Sequence, residues 1–431
     1  MLGLTFNKGE FVKIAPVLFV LLGLSACHSI ANHHEHDHGT KPLPHKSDKK
    51  KKKSASQEKT NKTHAHLKQT VIPWKEESQI ISPPPLMAKQ MGTVQTLGVP
   101  PLGYELDGTT KVFHLIAQPI EHLIVDEKIS TFAHLIPEQN NVAHHMGHTP
   151  MYKKIKCWGY NGSTPGPTIE VTEGDHVKIV VKNELPEPTS VHWHGIELPN
   201  NQDGAAPETQ RPIMPGETYT YEFTLHQPGT AMYHAEFNTM KQTHMGLQGL
   251  VVIHPKSYPN PIDKDFAIML QQWAVLPGSE YIDLVTMDFN WFTFNGLAAP
   301  NIPVLTVQEG ERVRIRFGNL LMDSHPIHIH GYLWTHVGAD GSPIPPAAQI
   351  RGSTILVPPG TTQDVEFLAW NPGIWRLHCH KLHHIVNAHT QVPMGIMDHG
   401  GMFTLLQVIP QDPPKPWTHP NQKNTTQSVQ P

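Results

Sequence analysis

Cysteine is scarce: the chain of 431 residues has three, Cys27, Cys157 and Cys379. With Cys27 set aside as the residue that follows an export leader, two thiols remain, enough for one bridge or for a cysteine spent on a metal. Charge of one sign is lacking too. The 33 Lys plus Arg nearly balance 37 Asp plus Glu, so no overall field argues for nucleic acid or an acidic polymer as partner. A long apolar run is also missing. The run from Ile14 to Ala26, preceded by Lys8 and Lys13, is too short for a comfortable membrane span, so residues 1–26 read as an export signal. What the chain has in excess is histidine, 32 residues. An imidazole is a metal ligand and a proton carrier near neutral pH, which puts metal chemistry first among the functions to test.

The apolar run ends in Leu24-Ser25-Ala26-Cys27, which resembles the bacterial lipoprotein box, with Cys27 as the lipidated residue. That implies a membrane anchor and a periplasm-facing place in the cell envelope, and His28 rather than aspartate after Cys27 points to the outer membrane. Residues 27–96 carry His33-His34-Glu35-His36-Asp37-His38 and the lysine run Lys49 to Lys53 with few aliphatic residues, the composition of a disordered tether and lead-in. Its histidines serve equally well as metal capture or as a solvated spacer.

The rest is long enough for two domains of ordinary size. It is rich in Pro and Gly, with short alternating runs such as Val177-Lys178-Ile179-Val180-Val181, which predict β-sandwiches. Glu173-Gly174-Asp175-His176-Val177-Lys178-Ile179 recurs 136 residues later as Glu309-Gly310-Glu311-Arg312-Val313-Arg314-Ile315. His192-Trp193-His194-Gly195 falls on His328-Ile329-His330-Gly331 at the same offset, and Pro228-Gly229 and His234 fall on Pro372-Gly373 and His378 at an offset of 144. The chain is therefore a duplicated domain. The expected domains are 97–256 and 262–411, joined through Tyr258-Pro259-Asn260-Pro261, with a disordered tail over 412–431. Segment 121–152 looks like an insertion, and its His144-His145-Met146-Gly147-His148 is read as a polar loop in preference to a route for copper uptake.

Side chains repeat with period two along a strand, so both imidazoles of a His-x-His run face one cavity. Three such pairs occur, His192/His194, His328/His330 and His378/His380, at positions related by the repeat. Cys379 lies between the last two and must point the other way, toward a site that His325 and His384 can complete. A thiolate with two imidazoles is the ligand set of a blue copper electron-transfer centre. Cys157, in a strand-like segment, is most simply a small buried residue.

His-Trp-His-Gly at 192–195, His-Pro-Ile-His-Ile-His-Gly at 325–331 and His-Cys-His-Lys-Leu-His-His at 378–384 resemble the signatures of multicopper oxidases. The resemblance covers about 97–411 and includes Trp158-Gly159-Tyr160-Asn161-Gly162-Ser163-Thr164-Pro165-Gly166-Pro167 and the stretch from Leu198-Pro199-Asn200 to Asp203-Gly204. It implies an all-β chain of two tandem cupredoxin-like Greek-key sandwiches. It also implies copper held at type 2 by His192 and His328, at type 3 by His194, His234, His330, His378 and His380, and at type 1 by His325, Cys379 and His384. The implied reaction couples one-electron oxidation of a reductant, cuprous ion or a phenol, to four-electron reduction of dioxygen to water. Two-domain members of the family build the trinuclear site between neighbouring subunits, which implies a homotrimer. Asp203 resembles the family's acidic residue near type 2 copper, a proton relay; an ordinary turn aspartate before Gly204 is the other reading.

The chain departs from the pattern at three places. Glu236 stands where a type 3 histidine belongs and is expected either as a carboxylate ligand or as the cause of weak binding, with His244 a remote substitute. Ala235 matches Cys379 in the first domain, so that domain has no blue site, against the copper nitrite reductase arrangement. His389 occupies the usual axial methionine position, leaving Met394 or Met397 to reach the copper. The rival to an oxidase is a periplasmic copper-binding protein that sequesters the metal, and a structural protein with relic sites is a third reading.

Overall fold

In a computed structural model of the chain the described residues are 93–135, 151–258, 260–387, 400–412 and 418–419. Cys27, the tether histidines, the cluster at 144–148 and the axial candidates His389, Met394 and Met397 lie outside them.

The first half is two sheets closed over one core. One sheet runs Gly166–Thr172, Gln248–His254, Gly229–Ala235, Val191–His194; the other runs Glu105–Asp107, Thr110–Asp126, His176–Asn183, Thr218–Thr224. Alternation explains the closure. Val177, Ile179 and Val181 point inward from one sheet, and Ile169, Val251, Tyr233 and Trp193 meet them from the other, all at most 2 % exposed. Each such aliphatic side chain contributes about 1.5–3 kcal/mol by leaving water. The segment expected as an insertion is partly sheet: Thr110–Asp126 runs on past residue 121 and pairs antiparallel with Tyr152–Tyr160. Its Ile120, Ile124 and Val125, with Ile155 and Cys157, form a second apolar cluster that includes Trp273.

The second half repeats the plan. Leu305–Gln308, Phe403–Ile409, Gly373–Cys379, His325–Ile329 and Thr354–Val357 form one sheet, facing a larger sheet centred on Lys264–Trp273, Arg312–Asn319 and Thr361–Leu368. The duplication extends to register: His192 pairs with His234 and Val191 with Ala235, just as His328 pairs with His378 and Ile327 with Cys379. This is the all-β, two-sandwich architecture anticipated from the sequence.

The halves share a seam. Met232 and Leu250 from the first pack with Ala267 and Met269 from the second. Gly229, at φ +153, permits the close approach: a Cβ there would stand 2.1 Å from the Gly341 carbonyl oxygen, so only glycine fits. Sheet also begins before the expected boundary at 97: Gln95–Thr96 pairs with Phe266 and Ala267, and the Thr93 and Val94 amides donate to Glu170 at 2.8 and 3.0 Å. Backbone donors captured this way hold the lead-in in place, although its composition resembles that of the tether.

Candidate metal centre

Three groups of side chains converge. The first is His192, His194 and His234; the second is His328, His330 and His378; the third is His325, Cys379 and His384, with ligand atoms in each group within 4.8 Å of one another. Strand pairing builds the first two, since His192 and His328 stand opposite His234 and His378 on neighbouring strands.

In both groups one ring nitrogen is fixed from outside, leaving the other for the cavity. Nδ1 of His192 donates to the Asp203 carbonyl at 2.9 Å, Nδ1 of His328 to Ser353 at 2.9 Å, Nδ1 of His234 to Ala235 at 3.1 Å and Nδ1 of His378 to Cys379 at 2.9 Å. A ring whose N–H is spent on a carbonyl presents a bare Nε2, the tautomer a metal requires. Those inner nitrogens do meet: Nε2 of His234 is 3.4 Å from Nδ1 of His194, and Nε2 of His378 is 3.1 Å from Nε2 of His330. Burial holds His234 down at a pKa of about 3 and His378 at about 4, so protons do not compete for these nitrogens near neutral pH. The Asp203 carbonyl reaches His192 because Gly204, at φ +86, packs where a Cβ would be 1.8 Å from the Val191 oxygen.

Cys379 faces the other side of its strand, as period two requires, into the core of the second half. Its Sγ lies 3.5 Å from Nδ1 of His384 and 3.9 Å from Nδ1 of His325, and those two nitrogens are 3.1 Å apart. All three residues are fully buried. Burial pushes the Cys379 thiol up to about 11 and the imidazoles of His325 and His384 down to about 3 and 2. Their outer Nε2 atoms find no hydrogen-bond partner among the described residues. Two neutral imidazoles aimed at one sulfur, with a polar atom on each ring left without a hydrogen bond, are costly as a mere core. The donor set is that of a trigonal copper–thiolate site, which fits. Phe292 stacks on His384 with centroids 3.6 Å apart and fixes the ring.

The structure leaves some expected residues outside the groups. His380 is exposed, with its ring 5.5 Å from that of His328 and 5.6 Å from that of His378. Glu236 does not enter the His192/His194/His234 group: its Oε2 lies 3.5 Å from Nδ1 of His234, the nitrogen turned away from His194. Spacing alone places Glu236 on the right face, but the strand ends at Ala235, and the Glu236 side chain, long enough for the site, turns to Thr239 and the outer side of His234 instead. His244 stacks on Phe289 with centroids 5.0 Å apart, in none of the three groups. In the first half, the positions matching the blue site hold Ala235 and Thr189, whose hydroxyl donates to Gln242 at 2.7 Å. Gln242 in turn donates to Pro188 at 2.7 Å, so a hydrogen-bonded amide occupies that space. Cys157 and Cys379 are unbridged.

Sequence alone missed the floor of the second group. Tyr332, Arg351 and Trp370 line a cleft with His328 and His330, and His419 from the expected tail stands edge-on to Trp370 at 5.2 Å. No periodicity or motif ties these residues together.

The multicopper oxidase family matches residues 142–258 and again 276–391, together over half of the chain. Laccase-19 of Oryza sativa subsp. japonica is 32 % identical over 259 residues, covering 55 % of this chain and 43 % of that protein. Multicopper oxidase MmcO of Mycobacterium tuberculosis is 30 % identical over 227 residues, covering 43 % of each. The chain thus spans 43 % of the length of these curated relatives. Among solved structures, the blue copper oxidase from Nitrosomonas europaea superposes with a TM-score of 0.58 at 27 % identity, over 69 % of this chain and 86 % of that one.

Proposed function

Because this chain belongs to the multicopper oxidase family, we propose that it oxidises a small reductant, cuprous ion or a phenol, one electron at a time and reduces dioxygen to water with four such electrons. The observation that carries this reading is the placement of Cys379 directly after His378 at the end of one strand, with the sulfur in one site and the flanking imidazole of His378 in another. Bound copper would supply the one-electron steps and the binding of dioxygen. The chain supplies the rest. His325, Cys379 and His384 would hold one copper in a dry pocket, and the histidines at 192, 194, 234, 328, 330 and 378 would hold the others, with His380 beside them; the bonded chain from Cys379 to His378 links the two places. Asp203 closes the turn Asn200–Gln202 and also places Oδ1 3.4 Å from His192. That position suits it to hold a proton drawn from solvent for the reduction of oxygen.

Neither histidine group is complete in itself, and each is partly open. The reading therefore extends to a homotrimer in which the first group of one copy meets the second group of its neighbour. It also extends to a periplasm-facing lipoprotein of the cell envelope, anchored through Cys27 at the outer membrane. The experiment is oxygen uptake by copper-reconstituted protein with cuprous ion or a phenol, with visible spectrum and copper count taken together. Uptake with an intense blue band supports the oxidase; tightly bound copper without uptake would replace it with sequestration.

Glu236 has a role its sequence position does not suggest. The outer nitrogen of His234 donates to the Ala235 carbonyl, and the Glu236 carboxylate 3.5 Å from it adds an electrostatic contact; losing a group that supports a metal-binding ring from outside typically costs about 10–100-fold in metal affinity. Glu236→Ala is expected to weaken copper retention in the His192/His194/His234 group by about tenfold in a chelator competition and to leave the blue band unchanged. Unaltered retention would remove Glu236 from the site.

A further inference from the structure

The rings of His192, His234, His328 and His378 are each fixed by an N–H spent on a backbone carbonyl. His384 has no such bond. Its Nδ1 faces Cys379 and His325, its Nε2 has no hydrogen-bond partner among the described residues, and the Asp323 carboxylate stands 3.9 Å from that nitrogen, beyond hydrogen-bond reach. The helix that carries His384, Leu382–Val386, has only five residues and no side-chain cap, too short to hold its own shape in water. The orientation of this ring must come from outside the helix.

Phe292 supplies it. Its ring stacks on His384 with centroids 3.6 Å apart and planes 14° from parallel, and stands edge-on to His325 at 6.4 Å and 69°, so one phenyl meets both imidazoles of the Cys379 site. Phe292 is gripped in turn by Asn387, three residues after His384. The Asn387 carboxamide accepts the Phe292 amide N–H at 2.7 Å, donates to the Phe292 carbonyl at 3.2 Å and donates to the Gly400 carbonyl at 2.8 Å. One buried side chain thus acts as a neighbouring strand for Trp291–Phe294, which also pairs with Lys264–Trp273. Asn387 itself sits at φ +54 and ψ −143, a conformation that side chains rarely take and that persists only where the surroundings over-determine it.

We propose that Asn387 and Phe292 are positioning residues that set the reduction potential of copper held by His325, Cys379 and His384: Asn387 locks the Phe292 backbone, and Phe292 fixes the plane of the His384 imidazole. The inference rests on the copper reading above and adds which residues beyond the ligands tune that site. Cupric ion with nitrogen ligands favours a tetragonal arrangement, which a thiolate and two imidazoles held in place deny it. A His384 ring free to turn would approach that arrangement and favour the cupric form.

The test uses copper-loaded full-length protein and reads the reduction potential by redox titration of the blue band, with the magnetic-resonance spectrum alongside. Asn387→Gly removes the carboxamide from a backbone conformation that glycine takes without strain, and Phe292→Leu removes the aromatic face while keeping an apolar side chain. Each is expected to shift the cuprous-to-cupric equilibrium toward cupric about tenfold, the lower end of what partners outside the ligands contribute, which for one electron is a fall of ~59 mV. N387G/F292L should fall no further than F292L alone, because Asn387 acts through Phe292. Wild-type protein that binds copper without a blue band would overturn the copper reading and this inference with it. With the wild-type band present, a potential unchanged or raised in either single variant, or additive falls in the double variant, would overturn the clamp alone. Loss of the band in the variants would do the same, since the two residues would then support copper binding and not its potential.

Discussion

Cys379→Ser is expected to abolish the blue absorption and to reduce turnover with any reductant by more than the ~10–100-fold typical of losing a hydrogen bond outside a metal's ligands. Copper content should fall by about one ion per chain, while the metal held by the histidine groups remains. Serine nearly matches cysteine in size and leaves a hydroxyl within reach of the Nδ1 atoms of His325 and His384, so the core around Ile327, Leu377 and Phe292 has no cavity to collapse into. The loss is therefore chemical. A hydroxyl is a harder and far less polarizable donor than a thiolate and does not deprotonate readily in a dry pocket. Copper counting with visible and magnetic-resonance spectra checks the first part, and stopped-flow reduction checks the second. Persistence of the blue band would mean that the sulfur is not in the site, and unimpaired turnover would mean that electrons bypass it.

Much of this centre was legible because period two is a geometric rule that needs no partner. His192 and His194, His328 and His330, and the opposed directions of His378 and Cys379 follow from the strand alone. The duplication supplied the correspondence of the halves, His192 with His328 at an offset of 136 and His234 with His378 at 144; that His192 stands opposite His234 and His328 opposite His378 came from the structure. What spacing could not convey is where a strand stops and which nitrogen a neighbour meets. Glu236 lies one residue beyond the end of its strand, and its oxygen sits on the outer, Nδ1 side of His234. The filling of the first half's vacant blue position by Thr189 and Gln242 joins residues 53 apart with no motif between them. The lead-in was misplaced for a related reason: Thr93 and Val94 are ordered by a carboxylate 76 and 77 residues away, not by their own composition.

The least legible feature is Arg316, which alternation would send to solvent and which is 1 % exposed. Its strand, Arg312–Asn319, turns Val313, Ile315 and Phe317 into the second core, so the opposite face should be wet. The first half covers that face instead. Arg316 grips both oxygens of Asp265 at 2.8 Å, contacts Asp364 at 3.2 Å, and donates to Thr230 across the seam at 2.7 Å. Thr230 opens the strand Gly229–Ala235 that carries His234, so the same arginine that neutralises two buried carboxylates also anchors a metal-binding strand. Arg316→Met removes the cation and leaves Asp265 and Asp364, at 8 % and 5 % exposure, without compensation. Breaking a buried pair in this way costs about 3–5 kcal/mol, whereas removing both signs together is far milder. The single variant is thus expected to lose that much stability in denaturant titrations of copper-free protein, and R316M/D265N/D364N to recover most of it. Copper should leave the His192/His194/His234 group first, with the blue band of the second half surviving to higher denaturant. A cost below about 1 kcal/mol for Arg316→Met would fall within the range of an exposed ion pair and would mean that water reaches the seam.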